Sequence, residues 1–217
     1  MARKNEDDVT RERILNQAEI LFAGKGYNAV TVRQITKAAR CNIAAVNYHF
    51  GNKKNLYLAV FRERWVPRAM KVREAVEEEL ASQDILTLSG IIQAVSGAFL
   101  EGPMTDEERQ LHFQLMVREV AQPSEAFEIV AGSVMRPFLR KLGMMIGRLL
   151  PGEKEEEKLT LDMLSVFAMI IHLNFARALV MTLTGREYDP AFKARLMDHI
   201  IDFSLNGLGP GKGDHPR

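Results

Sequence analysis

Apolar residues recur at helical spacing from Thr10 to about Asn206, broken by Gly or Pro at intervals of one helix length, and strand-like alternation is almost absent. Stripes of that kind are buried by packing helix on helix, so the fold class is all-α. Ile14, Ala18, Leu21 and Phe22 fall on one face of a first helix, and Gly24 or Gly26 can supply its left-handed stop. The run Thr31-Val32-Arg33-Gln34 has the capping-box pattern, with Ile35, Ala38 and Ala39 inward, and predicts a second helix over about 32–39. A break near Arg40 to Asn42 precedes a third helix over about 43–50, and Gly51-Asn52 separates it from a fourth starting near Lys53.

Pro67 is expected to end or kink that fourth helix, and residues 67–82 read as helical with a charged outer face. Further helices are predicted at about 84–101, 106–121, 124–149, 159–184 and 190–206. Residues 208–217 are Gly- and Pro-rich and are expected to be mobile, while the acidic run 153–158 reads as a solvated first turn. This gives a domain over 1–52, a larger helical domain over 53–207 and a tail.

With 47% apolar and 26% charged residues the chain has the composition of a soluble globular protein of one or two domains. Its longest apolar stretch, 163–183, is interrupted by His172, Asn174 and Arg177, and is read as a buried amphipathic helix rather than a membrane span. The N-terminus is polar, with no signal for export or membrane insertion. Cys41 is the single cysteine, which excludes an internal disulfide and a cysteine-based zinc site within one chain and fits a reducing cytoplasm. His172 and His199 lack metal-ligand spacing, so no metal or cofactor is expected.

Charge is distributed unevenly. Residues 1–66 hold 12 Lys and Arg against 6 Asp and Glu, and residues 67–217 hold 17 against 22. A basic module joined to an acidic one suggests a polyanion for the first and self-association or a small ligand for the second.

On the third helix Ile43, Val46 and Phe50 make the expected inward stripe, and Ala44, Asn47 and Tyr48 the opposite face. Small side chains permit close approach and Asn47 and Tyr48 offer hydrogen bonds, as in a helix-turn-helix entering the major groove. Asn47 is suited to adenine, Ala44 and Ala45 to a thymine methyl, with Tyr48 and His49 as further contacts. Thr31, at a helix N-terminus, Arg33, Lys53 and Lys54 are placed for phosphates.

Residues 10–61, with I-L-x-x-A-x-x-L-F, G-x-G-Y, T-V-x-x-I and Y-H-F-x-x-K in order, resemble the N-terminal DNA-binding domain of the TetR/AcrR family of bacterial transcriptional regulators. The resemblance implies a three-helix helix-turn-helix domain with phosphate contacts from Thr31, Asn42, Tyr48, His49 and Lys53 and base contacts from Ile43 to Asn47. It also implies a C-terminal all-α domain that binds an effector and forms a homodimer through its last two long helices. The chain departs from the family pattern at Arg40, where Gly is usual, and at Asn47, where an aromatic is usual. A left-handed backbone at Arg40 would be strained, so the turn is either reshaped or has Arg40 touching phosphate. The run 42–51 looks most like a TetR subgroup with a longer C-terminal domain.

Stripes through Phe167, Ile171 and Phe175 and through Leu196, Ile200 and Phe203 supply candidate dimer helices, although core packing gives similar stripes. His112, Met116, His172, Asn174 and Arg177 are polar or adaptable groups in apolar runs that can orient an effector, or equally be satisfied core residues. Methionines such as Met144, Met145, Met163, Met169 and Met181 suit a pliable pocket for a hydrophobic compound. The expectation is a homodimeric repressor of a pseudo-palindromic double-stranded operator, released by a small hydrophobic effector, with no membrane role. The alternatives are a regulator controlled by protein partners alone and a helical enzyme; no Ser-His-Asp set, carboxylate pair or Gly-rich phosphate loop supports the latter.

Overall fold

The computed structural model describes residues 2–150 and 155–208, and all of its regular elements are helical. The 208–217 tail lies outside the described residues except for Leu208, as do the Pro151-Gly152 turn and the first two residues of the acidic run. Backbone packing groups the chain into two compact units: Met1–Met70 with Met104–Arg136, and Lys71–Pro103 with Pro137–Arg217. The sequence boundary at 52/53 falls inside the first unit, whose single core takes in residues as distant as Leu115 and Val130.

In the first unit α1 (Ala2–Lys25) buries Ile14, Leu15, Ala18 and Phe22 and stops before Gly26, whose φ of 81° is the left-handed conformation glycine accepts without strain. Helices α2 (Val32–Ala38), α3 (Ile43–Phe50) and α4 (Lys53–Val60) each open on a side-chain cap. The Thr31 hydroxyl accepts from the Gln34 amide at 3.3 Å while Gln34 Oε1 accepts from the Thr31 amide at 2.8 Å. Asn42 and Asn52 accept from the amides of Ala45 and Asn55, both at 2.9 Å. Caps of this type stabilise by about 1 kcal/mol each, which three such short helices need.

Pro67 neither ends the helix nor leaves an open kink. The chain passes from α4 through a π-helical turn, Phe61–Trp65, into α5 (Val66–Ala81), with the Val66 amide donating to Phe61 O. Proline lacks an N–H and its ring crowds the carbonyl four residues back; one wider turn removes the conflict and lets the helix run on. The same device recurs after α7 (Asp106–Ala121), where α8 (Glu125–Val130) meets a π-turn, Ala131–Met135, two residues ahead of Pro137. The 124–149 segment is therefore interrupted, not one uniform helix.

The second unit contains α6 (Leu88–Leu100), α9 (Arg136–Leu149, all but its first residue), α10 (Glu156–Phe175), α11 (Arg177–Thr184) and α12 (Pro190–Leu208). Phe192, Leu196, Ile200 and Ser204 recur every four residues as the buried stripe of α12. The predicted helix over 159–184 is broken at Ala176, whose ψ is 31°. The carbonyls of Leu173 and Asn174 accept from Tyr188 Oη and from Arg177 Nε (3.1 Å) instead of continuing the helical ladder. Arg177 and Asn174, predicted to face an effector, thus form the break, with Asn174 Nδ2 also donating to Phe99 O at 2.9 Å. The expected burial of this apolar stretch is corrected too: on α10 only Met163 and Ile170 are buried, and on α11 no residue is. By length and composition alone α10 could cross a membrane.

Candidate nucleic-acid interface

The turn between α2 and α3 places Arg40 in the left-handed region. Arg40 takes φ of 51°, the Cys41 amide donates to Thr36 O at 3.0 Å, and the Arg40 side chain is exposed. Holding a Cβ-bearing residue there costs about 1–2 kcal/mol. Beside it, burial pushes the Cys41 thiol above its ordinary range.

Of the predicted inward stripe on α3, Val46 and Phe50 are buried, but Ile43 is 43% exposed. Ile43 is the first residue of the helix, and Cα–Cβ bonds tilt toward a helix N-terminus, so its side chain projects past the edge of the packing. Ala45, expected to meet a thymine methyl, is half-buried and packs on the core. The solvent face is therefore Ile43, Ala44, Asn47 and Tyr48. Tyr48 is 76% exposed, with the half-buried His49 ring edge-on to it at 4.9 Å. Among the described residues no group hydrogen-bonds the Asn47 side chain, so its amide has both a donor and an acceptor to offer a base edge.

The phosphate candidates surround this face in differing states. Thr31 and Arg33 are exposed at the start of α2, with the Thr31 hydroxyl donating to Gln34 Oε1 at 3.1 Å. Asn42 spends its oxygen on the α3 cap and keeps its NH2 group for an outside acceptor. Lys53 is half-buried, its ammonium 4.2 Å from the centroid of Tyr27, and burial lowers its pKa. Lys54 is exposed and ion-paired with the exposed Glu125, a solvent-screened contact that a phosphate would compete with. Tyr27, the organiser of Lys53, was legible only as the last letter of the G-x-G-Y turn.

The remaining predicted residues do not form one cluster. His112 and Met116 are in the first unit; His172, Asn174 and Arg177 are in the second. The His112 ring stacks on Trp65 at 4.2 Å, and burial, then the Arg68 and Arg109 charges, lower its pKa to about 3. Its Nδ1 is buried without a partner. None of the five lines the all-apolar cavity of the second unit, about 20 Å³ and bounded by Ile91, Val95, Leu142, Ile146, Met163 and Phe167. Of the predicted dimer residues, Leu196 and Ile200 are in the core of their own unit, and Phe167 packs edge-on against Phe99 and Phe138, both at 5.8 Å. Within the single chain α12 turns the Leu196–Ile200 stripe to α6 and α10, while Phe167, on α10, stays half-buried. Ile171 is half-buried, while Phe175 and Phe203 are exposed along with Leu161, Leu164, Leu179 and Leu183.

Residues 14–60 match the family model for bacterial regulatory proteins, tetR family, and residues 88–208 match that for the C-terminal domain of the HTH-type transcriptional dual regulator CecR. The HTH-type transcriptional repressor AcnR of Corynebacterium glutamicum is 34% identical over 94 residues, 43% of this chain and only 42% of that protein's length. The dual regulator CecR of Shigella flexneri is 23% identical over 209 residues, covering 91% of this chain and 92% of CecR. The fold is similar to that of a TetR-family transcriptional regulator from Bordetella parapertussis, with a TM-score of 0.65 at 18% identity over 90% of this chain and 94% of that one.

Proposed function

Since the chain belongs to the tetR family of bacterial regulatory proteins and carries a CecR-type C-terminal domain, a family of regulators and not of enzymes, we propose that it is a homodimeric DNA-binding transcriptional regulator, a repressor acting on a pseudo-palindromic operator in the cytoplasm. The observation that carries this reading is the solvent face of α3, where the unpartnered Asn47 amide stands between Ala44 and Tyr48 on a short, capped, solidly backed helix. Asn47 pairs with adenine, Ile43 and Ala44 meet thymine methyls or sugar edges, and Thr31, Arg33, Arg40, Asn42, Tyr48, His49 and Lys53 fix the register on phosphates. Ala45 acts from behind, as backing for the face.

Two copies enter successive major grooves about 34–36 Å apart, joined through the exposed apolar faces of α10, α11 and α12. Support for this lies in Leu161, Leu164, Phe175 and Phe203, large apolar groups left in water by a single chain. A hydrophobic effector suits the second unit, whose cavity has an entirely apolar lining and room for about one water. Met163 in its lining is a flexible thioether, the group expected to move when the cavity enlarges around a ligand. Release follows if the ligand prefers dimers whose half-sites no longer match the groove spacing.

Binding of the wild-type chain and of Lys53→Ala to a duplex across a salt series tests the reading. The expected result is a Kd that rises steeply with salt, with a slope shallower by about one unit in the variant. Salt-independent binding, or none in dilute buffer, contradicts it.

A further inference from the structure

Two adjacent residues of α7 grip α1 and α4, the helices packed behind α2 and α3. Arg118 donates through Nε to Ala23 O at 2.9 Å and through an NH2 group to Gly24 O at 2.7 Å, neutralising carbonyls at the C-terminal end of α1. Gly26 makes the approach possible, since a Cβ there would lie 3.0 Å from the Arg118 guanidinium. Glu119, 3% exposed, accepts from Tyr57 Oη at 2.5 Å on one oxygen. Its other oxygen accepts from Ser124 N (3.0 Å), Ser124 Oγ (2.8 Å) and Phe127 N (3.1 Å). A buried carboxylate with four donors is fully satisfied and rigidly placed.

The two grips converge on one ring. Tyr27 directly follows Gly26, and its centroid lies 5.0 Å from that of Tyr57. The open side of Tyr27 holds the Lys53 ammonium. The connections close a circuit: from Arg118 to the α1–α2 turn, through Tyr27 and Tyr57, and back to α7 at Glu119.

We propose that Arg118 and Glu119 are positioning residues for the operator complex, setting through Tyr27 where Lys53 meets the DNA backbone. This rests on the regulator reading above. Neither residue touches DNA. Their influence is exerted on Lys53, so it is coupled to Lys53 and to the count of phosphate contacts, which a purely structural staple would not change.

The test uses the full chain as wild type, Arg118→Lys, Tyr57→Phe, Lys53→Ala and the two doubles containing Lys53→Ala. Each is titrated with a duplex selected by the wild-type protein, across a salt series and well below its melting temperature. Arg118→Lys and Tyr57→Phe, mild enough to preserve the fold, are expected to bind about tenfold more weakly. Their salt slope becomes shallower by about one unit, and the doubles bind within about twofold of Lys53→Ala alone. Variants that melt earlier but keep affinity and slope, or losses that multiply in the doubles, overturn the proposal. Should the wild-type chain bind no duplex, the regulator reading fails and this proposal falls with it.

Discussion

Helices α1 and α10 both carry apolar stripes, and their surroundings are very different. On α1, Ile14, Leu15, Ala18, Phe22 and Ala23 are all buried, and the neighbouring Glu19 carboxylate is ion-paired with Arg68 inside the same unit. On α10, Met163 and Ile170 are buried, yet Leu161, Leu164 and Phe175 stay exposed, and α11 adds Leu179, Met181 and Leu183 with nothing over them. Burying one such side chain stabilises by about 1.5–3 kcal/mol, so this face forgoes on the order of 10 kcal/mol while it remains in water. The first unit buries the main apolar stripe of α1 within the chain, leaving Val9 and Ile20 at its surface, and keeps a polar, unpartnered group on α3. The second unit has its polar groups tied into a helix break and its apolar groups on offer. On the proposed reading, the first meets a nucleic-acid edge and the second meets another copy of itself.

The largest expected effect comes from abolishing that difference. Phe175→Asp with Phe203→Asp should give a monomer by sedimentation and weaken operator binding on the order of a hundredfold, because each half-site is then bound alone. Retention of the dimer moves the interface elsewhere. Ile200→Asp should unfold the chain instead, since a carboxylate would be placed in a site with 0% exposure.

Next in size, Asn47→Ala should cost about 1–3 kcal/mol on cognate duplex and relax preference at one base pair. An equal loss on all duplexes removes the base-reading role. The first unit should also be the more acid-sensitive. The native pKa of His112, about 3, lies below its unfolded value, so the unfolded chain takes up this proton first. Its contribution is complete above about pH 6.5 and is lost as pH falls toward 3, amounting to about 2 kcal/mol by pH 5. His112→Phe, which keeps the stack on Trp65, should flatten that part of the pH–stability curve; an unchanged curve means the ring protonates in place.

The smallest effect is at the turn. Arg40→Gly should raise the free energy of unfolding by less than about 1 kcal/mol, read as a small rise in the denaturation midpoint, relief of left-handed strain being partly offset by the freer unfolded chain. If operator affinity falls at the same time, Arg40 has a phosphate contact worth more than its strain.

Local signals were legible in the sequence because they are carried by neighbours in the chain. The Thr31–Gln34 box and the limits of α3 and α7 follow from residues three or four apart, whereas the Asn42 cap emerges only in the structure. What was not legible depends on distant partners. Ile43 has the right spacing for the core but sits on the first turn, where side-chain tilt decides. Leu196 and Ile200 have the spacing of an interface and of an interior alike, and only the position of α6 distinguishes them. The break at Ala176 arises from Tyr188 competing for a carbonyl fifteen residues away. The candidate site divides in the same way: Asn47 and Tyr48 were readable from their helix face, whereas the hold of Tyr27 on Lys53 and the pairing of Lys54 with Glu125 required the assembled unit.

The central claim, that α3 turns the Asn47 amide toward a base edge, is tested most directly by selecting bound duplexes from a random pool with the wild-type chain and with Asn47→Ala. The account predicts a two-fold related pair of half-sites one helical turn or modestly more apart, in which the variant loses discrimination at one symmetric position, an adenine. Enrichment of no sequence, or identical enriched sites for both proteins, would contradict it.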